Sequence, residues 1–299
     1  MPQVSIVIVC MNRPDILYPC LDSIRGNTSV SYETLVVAYL FSPSNLLDLK
    51  ARYPWVTVIE SNEVRGFSEN NNLALRQVQG DFCFVLNDDT VLQEPVIDRL
   101  YEDFSKLPQD TAVVAPRLVL EDGSVQFSGG SIPTPLQYLA GVTGLRKARP
   151  HIESALAPTE NISGAAFLVR TDLFRQMGWF DERYFFTPED MAVARGLRKA
   201  GYALYVDPEA VVLHKWRRTS TPIMSAIRPA SIRGHQLFYY EGKGLRCFFF
   251  SLSIWLLYSL KRLAALAGGR SQDALTYSNI VRSVFSGRTP KELFISFRP

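Results

Sequence analysis

The chain has 299 residues, 47% of them hydrophobic, enough to bury one large core with an appendage. Its net charge of +3 hides a division, because Arg228 to Pro299 holds 11 Lys and Arg against 3 Asp and Glu and leaves the body acidic. Nucleic acid is set aside as a partner because that basic tail is also apolar, which favours a phospholipid surface, and four cysteines without paired spacing exclude a zinc or CxxC site.

Val4-Ser5-Ile6-Val7-Ile8-Val9 is a β-branched run, expected as a buried strand of a parallel sheet. No basic segment or cleavage site precedes it, which predicts a cytoplasmic protein. After Cys10-Met11-Asn12-Arg13-Pro14-Asp15, Ile16 to Arg25 reads as a helix stopped by Gly26-Asn27. Glu33 to Leu40 is a second strand, Asn45 to Arg52 a short helix, and Val56 to Glu60 a third strand. Ser68 to Gln79 has a helical pattern, and Gly80 opens the strand leading to Asn87. Strands alternating with helices predict an α/β fold with a mostly parallel central sheet, whose ligands sit at the carboxyl ends of the strands. The polar clusters at Asn12, Asn62 and Asn87 should therefore gather on one edge.

Val96 to Phe104 is a further helix, Thr111 to Leu120 a strand, and Glu121-Asp122-Gly123-Ser124 a hairpin-type turn. Gly129 to Pro158 lacks clear periodicity and is expected to be a long loop over the site. Phe167 to Arg170 reads as a strand and Thr171 to Met177 as a helix capped by Thr171. Pro188-Glu189-Asp190 precedes a helix from Met191 to Ala200, with Gly201 as its stop. Tyr202 to Val206 and Ala210 to Leu213 are two short strands.

Three features carry chemistry. Phe82-Cys83-Phe84-Val85-Leu86 ends abruptly in Asn87-Asp88-Asp89-Thr90. Those are ordinary turn residues, but adjacent acids closing a buried strand also suit a divalent metal carrying a diphosphate. Glu189-Asp190 at a helix start is either a simple cap or a pair of ionised carboxylates favoured by the dipole. His214 ends the apolar strand Val211-Val212-Leu213 and precedes Lys215-Trp216-Arg217-Arg218, a basic run that is either a solvated face or a phosphate contact.

In order and spacing these pieces resemble the inverting, GT-A-fold glycosyltransferases of family 2, especially bacterial rhamnosyltransferase-like members. The resemblance covers about residues 4 to 245 and includes Asn62…Gly66-Phe67…Asn70-Asn71-Asn72, Leu86-Asn87-Asp88-Asp89-Thr90, Ser163-Gly164-Ala165-Ala166, Gly178-Trp179-Phe180-Asp181-Glu182, Glu189-Asp190 and His214. It implies a GT-A (nucleotide-diphospho-sugar transferase) domain over 1–227, followed by a helical region over 228–299. It implies that Asp89 and His214 ligate a divalent metal, manganese or magnesium, on the donor diphosphate. Cys10, Asn12, Arg13, Tyr39, Asn62, Gly66, Asn70, Asp88 and Arg217 are then candidates for holding the nucleoside-diphosphate sugar. Asp190 becomes the general base, its pKa raised by partial burial and by neighbouring Glu189. The implied reaction moves a sugar, with rhamnose the first candidate, to a glycan or lipid-linked acceptor in bacterial surface-polysaccharide synthesis at the cytoplasmic face of the inner membrane.

Two departures matter. The second strand ends Val36-Val37-Ala38-Tyr39-Leu40, where relatives carry an acid for the nucleobase, so only the Tyr39 ring is left to meet the base. Met191-Ala192 stands where relatives often have another acid. The missing acid keeps open a degenerate homologue that binds a nucleotide sugar without turnover, and the acid-histidine set keeps open a metal-dependent phosphoesterase. Residues 247 to 260 form an apolar run bracketed by Arg246 and Lys261-Arg262, about 21 Å of helix, too short for a ~30 Å hydrocarbon core. A peripheral membrane contact through 245–267 is expected, with packing on the main domain or in a homodimer as the alternative.

Overall fold

The computed structural model describes residues 1–145, 155–215 and 223–298. Strand β1 (Val4–Met11), helix α1 (Pro14–Gly26), β2 (Tyr32–Tyr39), α2 (Pro43–Arg52), β3 (Val56–Ser61), α3 (Phe67–Leu75) and β4 (Phe82–Asn87) alternate as the sequence predicts. They are followed by β5 (Thr90–Leu92), α4 (Val96–Lys106), β6 (Thr111–Val119), β7 (Gly129–Gly130), α5 (Pro135–Thr143), β8 (Ala157–Thr159) and β9 (Asn161–Ile162). Then come β10 (Ala166–Arg170), α6 (Thr171–Gln176), α7 (Glu189–Lys199), β11 (Ala203–His214) and the helices α8 (Met224–Tyr240), α9 (Gly244–Ala267), α10 (Ser271–Ser283) and α11 (Pro290–Phe297).

The main sheet runs β3-β2-β1-β4-β10-β6-β11-β5, with β8 also on β11. Strands β3, β2, β1 and β4 are parallel, β10 is antiparallel to β4 and β6, β11 is parallel to β6, and β5 is antiparallel to β11. The chain moves outward from β1 to β3 and returns to β4 on the other side of β1. That reversal opens a crevice at the carboxyl ends of β1 and β4, where α/β sheets take ligands. Register aligns Val9 with Asn87, so Cys10 and Asp88 rise side by side from the two strands.

Period-two alternation gives the sheet two apolar faces. Ile6, Ile8, Phe84, Leu86 and Leu168 enter the core with α1 and α4, while Val7, Cys83, Val85, Phe167 and Val169 enter the one with α6 and α7. Each such side chain, fully buried, stabilises the fold by about 1.5–3 kcal/mol relative to exposure.

Several boundaries differ from expectation for local reasons. Of residues 129–158, expected as a loop, 146–154 lie outside the described residues, and the rest hold α5, capped by Thr134 Oγ1, which accepts from Gln137 N. Thr134-Pro135-Leu136-Gln137 is a capping box with proline at the first helical position, a signal legible in the sequence. Helix α3 stops at Leu75 rather than Gln79, because the chain must cross β1 at Gly80, where an added Cβ meets Ser5 N at 2.7 Å. Thr171 does not cap α6; its hydroxyl donates to Gly80 O at 2.7 Å. The two strands expected over 202–213 are one, β11, bulged between Asp207 and Val211. Glu189 and Asp190 lie within the first turn of α7, not before it.

Helices α8 to α11 pack over the strand ends. Gly234 of α8 seats against Thr187 O, where a Cβ would stand 2.2 Å away, and Gly66 seats equally tightly against Phe185 O. Helix α11 is tied to α3 by Lys291 Nζ–Glu69 Oε1 at 2.7 Å and to the segment before α7 by Phe294 on Phe185, ring centroids 4.8 Å apart. One face of α9, with Phe250, Ile254 and Tyr258, is buried against α8, α5 and α10. The other exposes Phe248, Phe249, Leu256, Leu260 and Leu263.

Candidate active site

Strand β4 delivers Asp88 and Asp89 into the crevice, only 8% and 7% exposed. Burial, then the charge of Asp89, pushes the Asp88 carboxyl up to about 7. Asp88 Oδ2 is buried with no hydrogen-bond partner among the described residues. The pairing of β5 with β11 sets His214 opposite Thr90, and Lys215 N donates to Asp89 O at 2.8 Å. This brings His214 Nε2 to 3.1 Å from Asp89 Oδ1. On the other side of the ring, His214 Nδ1 is 2.6 Å from Gln126 Oε1. With the carbonyl of Gln126 accepting from Nδ1–H, the Nε2 lone pair faces the carboxylate, an arrangement suited to a proton or a cation.

Glu189 and Asp190 enter the same cavity from α7. Asp190 Oδ1 accepts from Met191 N at 2.7 Å and Oδ2 from Gly164 N at 3.3 Å. Burial holds the Asp190 carboxyl above the ordinary range despite those donors. The expected push from Glu189 falls the other way. Glu189 is 7% exposed, its Oε2 lacks a partner among the described residues, and burial followed by the Asp190 charge raises its own pKa well above the ordinary value. Both carboxyls are pushed up by burial, Glu189 the further of the two. Gly164 lets them approach, since a Cβ there stands 3.3 Å from Glu189 Oε1.

A cavity of about 520 Å³ joins these groups. Of the residues singled out in the sequence, Tyr39, Gly66, Asn70, Asp88, Asp89, Glu189, Asp190 and His214 line it. Tyr39 OH accepts from Arg65 N at 3.3 Å. Asn70 braces the loop before α3, accepting from Ser61 Oγ at 2.7 Å and donating to Arg65 O at 3.3 Å.

Four other candidates stand outside the cavity lining. Cys10 is fully buried beneath Asp88. Asn12 has a left-handed backbone (φ 50°) and ties the turn to α2 through Ser42 N at 3.0 Å. Arg13 pairs with Asp15 at 2.7 Å, and Asn62 is exposed. Arg217, like Arg218, lies outside the described residues.

Sequence reasoning missed Gln126, Arg65 and the roof. Tyr138 of α5, Arg228 and His235 of α8 and Tyr258 of α9 all line the cavity, so the tail completes the site. Tyr138 lies on the His235 ring with centroids 4.2 Å apart, and burial pushes the His235 pKa down to about 4. A second cavity of about 1130 Å³ shares Asp190 and these four roof residues with the first.

Among the described residues, no group of three His, Cys, Asp or Glu side chains is arranged to hold a metal unaided. Asp89 and His214 are two donors of suitable type, and the buried, unpartnered Asp88 oxygen adds a negative field that a cation would relieve.

Over 186 residues the chain is 30% identical to the N-acetylglucosaminyl-diphospho-decaprenol L-rhamnosyltransferase of Mycobacterium tuberculosis, covering 54% of this chain and 60% of that one. It is 23% identical over 223 residues to the O-antigen biosynthesis protein RfbC of Myxococcus xanthus, covering 71% of this chain and 17% of that one. The chain thus spans less than two thirds of the length of either relative. The mannosyltransferase PcManGT from Pyrobaculum calidifontis, solved with GDP-Man and Mn2+, superposes at TM-score 0.57 and 17% identity, over 99% of this chain and 85% of that one. The shared architecture is the expected GT-A fold. Residues 2–229 match the family described as "Glycosyltransferase like family 2". With most of its length inside that match, the chain belongs to glycosyltransferase family 2.

Proposed function

We propose that the chain is an inverting glycosyltransferase that moves a sugar from a nucleoside-diphosphate donor to a hydroxyl of a glycan or lipid-linked acceptor. What supports this most is one cavity joining Asp88, Asp89 and His214 at the sheet edge to Asp190 on α7. A rhamnosyl donor and a role in surface-polysaccharide assembly are favoured by the similarity to a rhamnosyltransferase and to an O-antigen biosynthesis protein.

The donor diphosphate is assigned to the β4 edge, beside Asp88 and Asp89, with Tyr39 and Arg65 toward the nucleoside. Asp89 Oδ1 and His214 Nε2 would hold a manganese or magnesium ion beside the donor diphosphate. When bound, such an ion offsets the charge gathering on the departing diphosphate.

Asp190 takes the proton of the acceptor hydroxyl. The acceptor oxygen then bonds to the anomeric carbon on the face opposite the diphosphate, and the carbon–oxygen bond to the diphosphate breaks with its electron pair leaving on the diphosphate. One displacement inverts that carbon. Burial raises the basicity of Asp190, and the upward shift of Glu189 disfavours a competing negative charge beside it.

Helix α9 is long and apolar enough by composition to cross a membrane, yet Phe250, Ile254 and Tyr258 pack inward. We assign its exposed face, with Phe249, Leu256 and Leu260, to the surface of an anionic cytoplasmic membrane, in keeping with the basic tail.

The test is a thermal-shift screen of nucleotide sugars with and without manganese, followed by product analysis. A shift that needs both components, then transfer with inversion, supports the reading. Donor binding with neither transfer nor hydrolysis favours a second reading, a binding homologue without turnover, motivated by Tyr39 where an acid is expected.

A further inference from the structure

The second cavity has Asp190 in its lining and is walled in part by helices of the tail. Arg228 of α8 and Lys261 of α9 both line it. Neither has a carboxylate partner among the described residues. Lys261 Nζ donates to Val142 O at 2.5 Å and lies 5.6 Å from the Tyr258 ring centroid. Apart from Asp190, the acids in the same wall pair with other cations, Asp273 with Arg270 at 3.5 Å and Glu160 with Arg198 at 3.4 Å. Burial, then repulsion from Arg228, lowers the Lys261 pKa. Two cations on one cavity wall, Arg228 exposed and Lys261 half-buried, with no carboxylate bonded to either among the described residues, favour a bound anion.

The anion must also suit what surrounds it. Asp190 lines the same cavity, so an occupant that presents a hydroxyl to Asp190 can carry its anionic group at Arg228 and Lys261. Arginine offers a fork matched to phosphate oxygens and lysine a compact charge beside it. Lys261 stands on α9 between Leu260 and Leu263, 66% and 61% exposed, so the cation adjoins the apolar face of the same helix. A phosphorylated group attached to a hydrocarbon chain meets all three conditions.

We infer that Arg228 and Lys261 form the acceptor-side anion pair, binding the diphosphate through which the acceptor sugar is joined to a lipid. The inference rests on the acceptor role proposed for Asp190, and it assigns acceptor choice to the tail, apart from the donor edge at Asp89.

Calorimetric titration of the full chain with farnesyl diphosphate, farnesol and inorganic pyrophosphate tests it. Farnesyl diphosphate is expected to bind at least about tenfold more tightly than either of the others, and R228Q/K261Q to lose about tenfold or more. K261R is expected to keep wild-type affinity, as is D89N, which cripples the donor edge. Affinity of the unmodified chain should also fall as salt rises, a readout that needs no variant. Unchanged binding in R228Q/K261Q with an intact thermal transition overturns the assignment. So does equal loss in D89N, which moves the probe to the donor edge, or pyrophosphate binding as tightly as the lipid, which makes the pair a free-phosphate site. Failure of the transferase reading shows separately, as absence of manganese-dependent nucleotide binding in the unmodified chain.

Discussion

Asp89 Oδ1 and His214 Nε2 stand 3.1 Å apart, although they lie 125 positions apart in the sequence. The antiparallel pairing of β5 with β11 creates the meeting, and Gln126 turns the ring so that Nε2 faces the acid. Removing the Gln126 carbonyl should therefore act through orientation. Gln126→Ala is expected to weaken manganese binding by about 10–100-fold while the fold persists. Manganese titration of both proteins in the presence of a nucleoside diphosphate checks this, and equal affinities would remove Gln126 from the site.

Asp190 is the proposed base, and its carboxyl is raised by burial. Asp190→Asn should lower transfer by about 10²–10⁴-fold with donor affinity retained. A base must be ionised to act, so the rate is lost as pH falls through the Asp190 pKa. The acid limb of kcat/KM should lie above that of an ordinary aspartate and vanish in the variant. Transfer near the wild-type rate in Asp190→Asn defeats the assignment.

His235 links stability to pH. Burial holds its pKa at about 4, against an ordinary value of 6.5. Between those values the unfolded chain binds more protons than the folded one. The stability from keeping the ring neutral is therefore full above pH 6.5 and drains as pH falls toward 4, by on the order of 3 kcal/mol. Urea midpoints across that window should fall steeply in the native protein and less in His235→Gln. Parallel curves for the two would assign the acid sensitivity to other groups.

Gly234 fixes how closely α8 approaches the segment leading to Glu189. Its Cβ would stand 2.2 Å from Thr187 O, a backbone atom that cannot swing aside. Gly234→Ala should cost about 1–3 kcal/mol and depress transfer more than donor binding, because the displaced turn carries Asp190. Chemical denaturation and steady-state kinetics on the same preparation read both effects.

Phe249 and Leu256 are 56% and 51% exposed on α9. Substituting both by Asp should abolish co-sedimentation with vesicles of mixed neutral and anionic phospholipid and leave the thermal transition in place. If the native chain ignores such vesicles but sediments as a dimer that the variant loses, the face belongs to a second copy instead.

Much of the donor edge could be read locally. The continuous apolar runs Val4–Val9 and Phe82–Leu86 mark the strands, and a strand that stops in Asn87-Asp88-Asp89 announces its own chemistry. The roof could not be read this way. Gln126 reaches His214 across 88 positions, and Tyr258 faces the cavity because α9 folds back over the strand ends, which no local pattern encodes. The bulge in β11 was hidden by Asp207-Pro208-Glu209, whose composition reads as a break between two strands. Helix α5 was different: its Thr134–Gln137 box was present and passed over beside so many glycines and prolines.

The family match stops at residue 229, inside α8, whereas His235, Tyr258 and Lys261 of the cavity walls come later. The reaction chamber is therefore built from two inheritances that meet along one helix. Under the proposed reading the acids beside the donor diphosphate, Asp88 and Asp89, come from the part common to the family, whereas His235, Tyr258 and Lys261 come from the part beyond it. Exchanging the segment after α7 between members is thus a route to redirect where the sugar goes while keeping which sugar is used, so long as the glycine at 234 stays against its carbonyl.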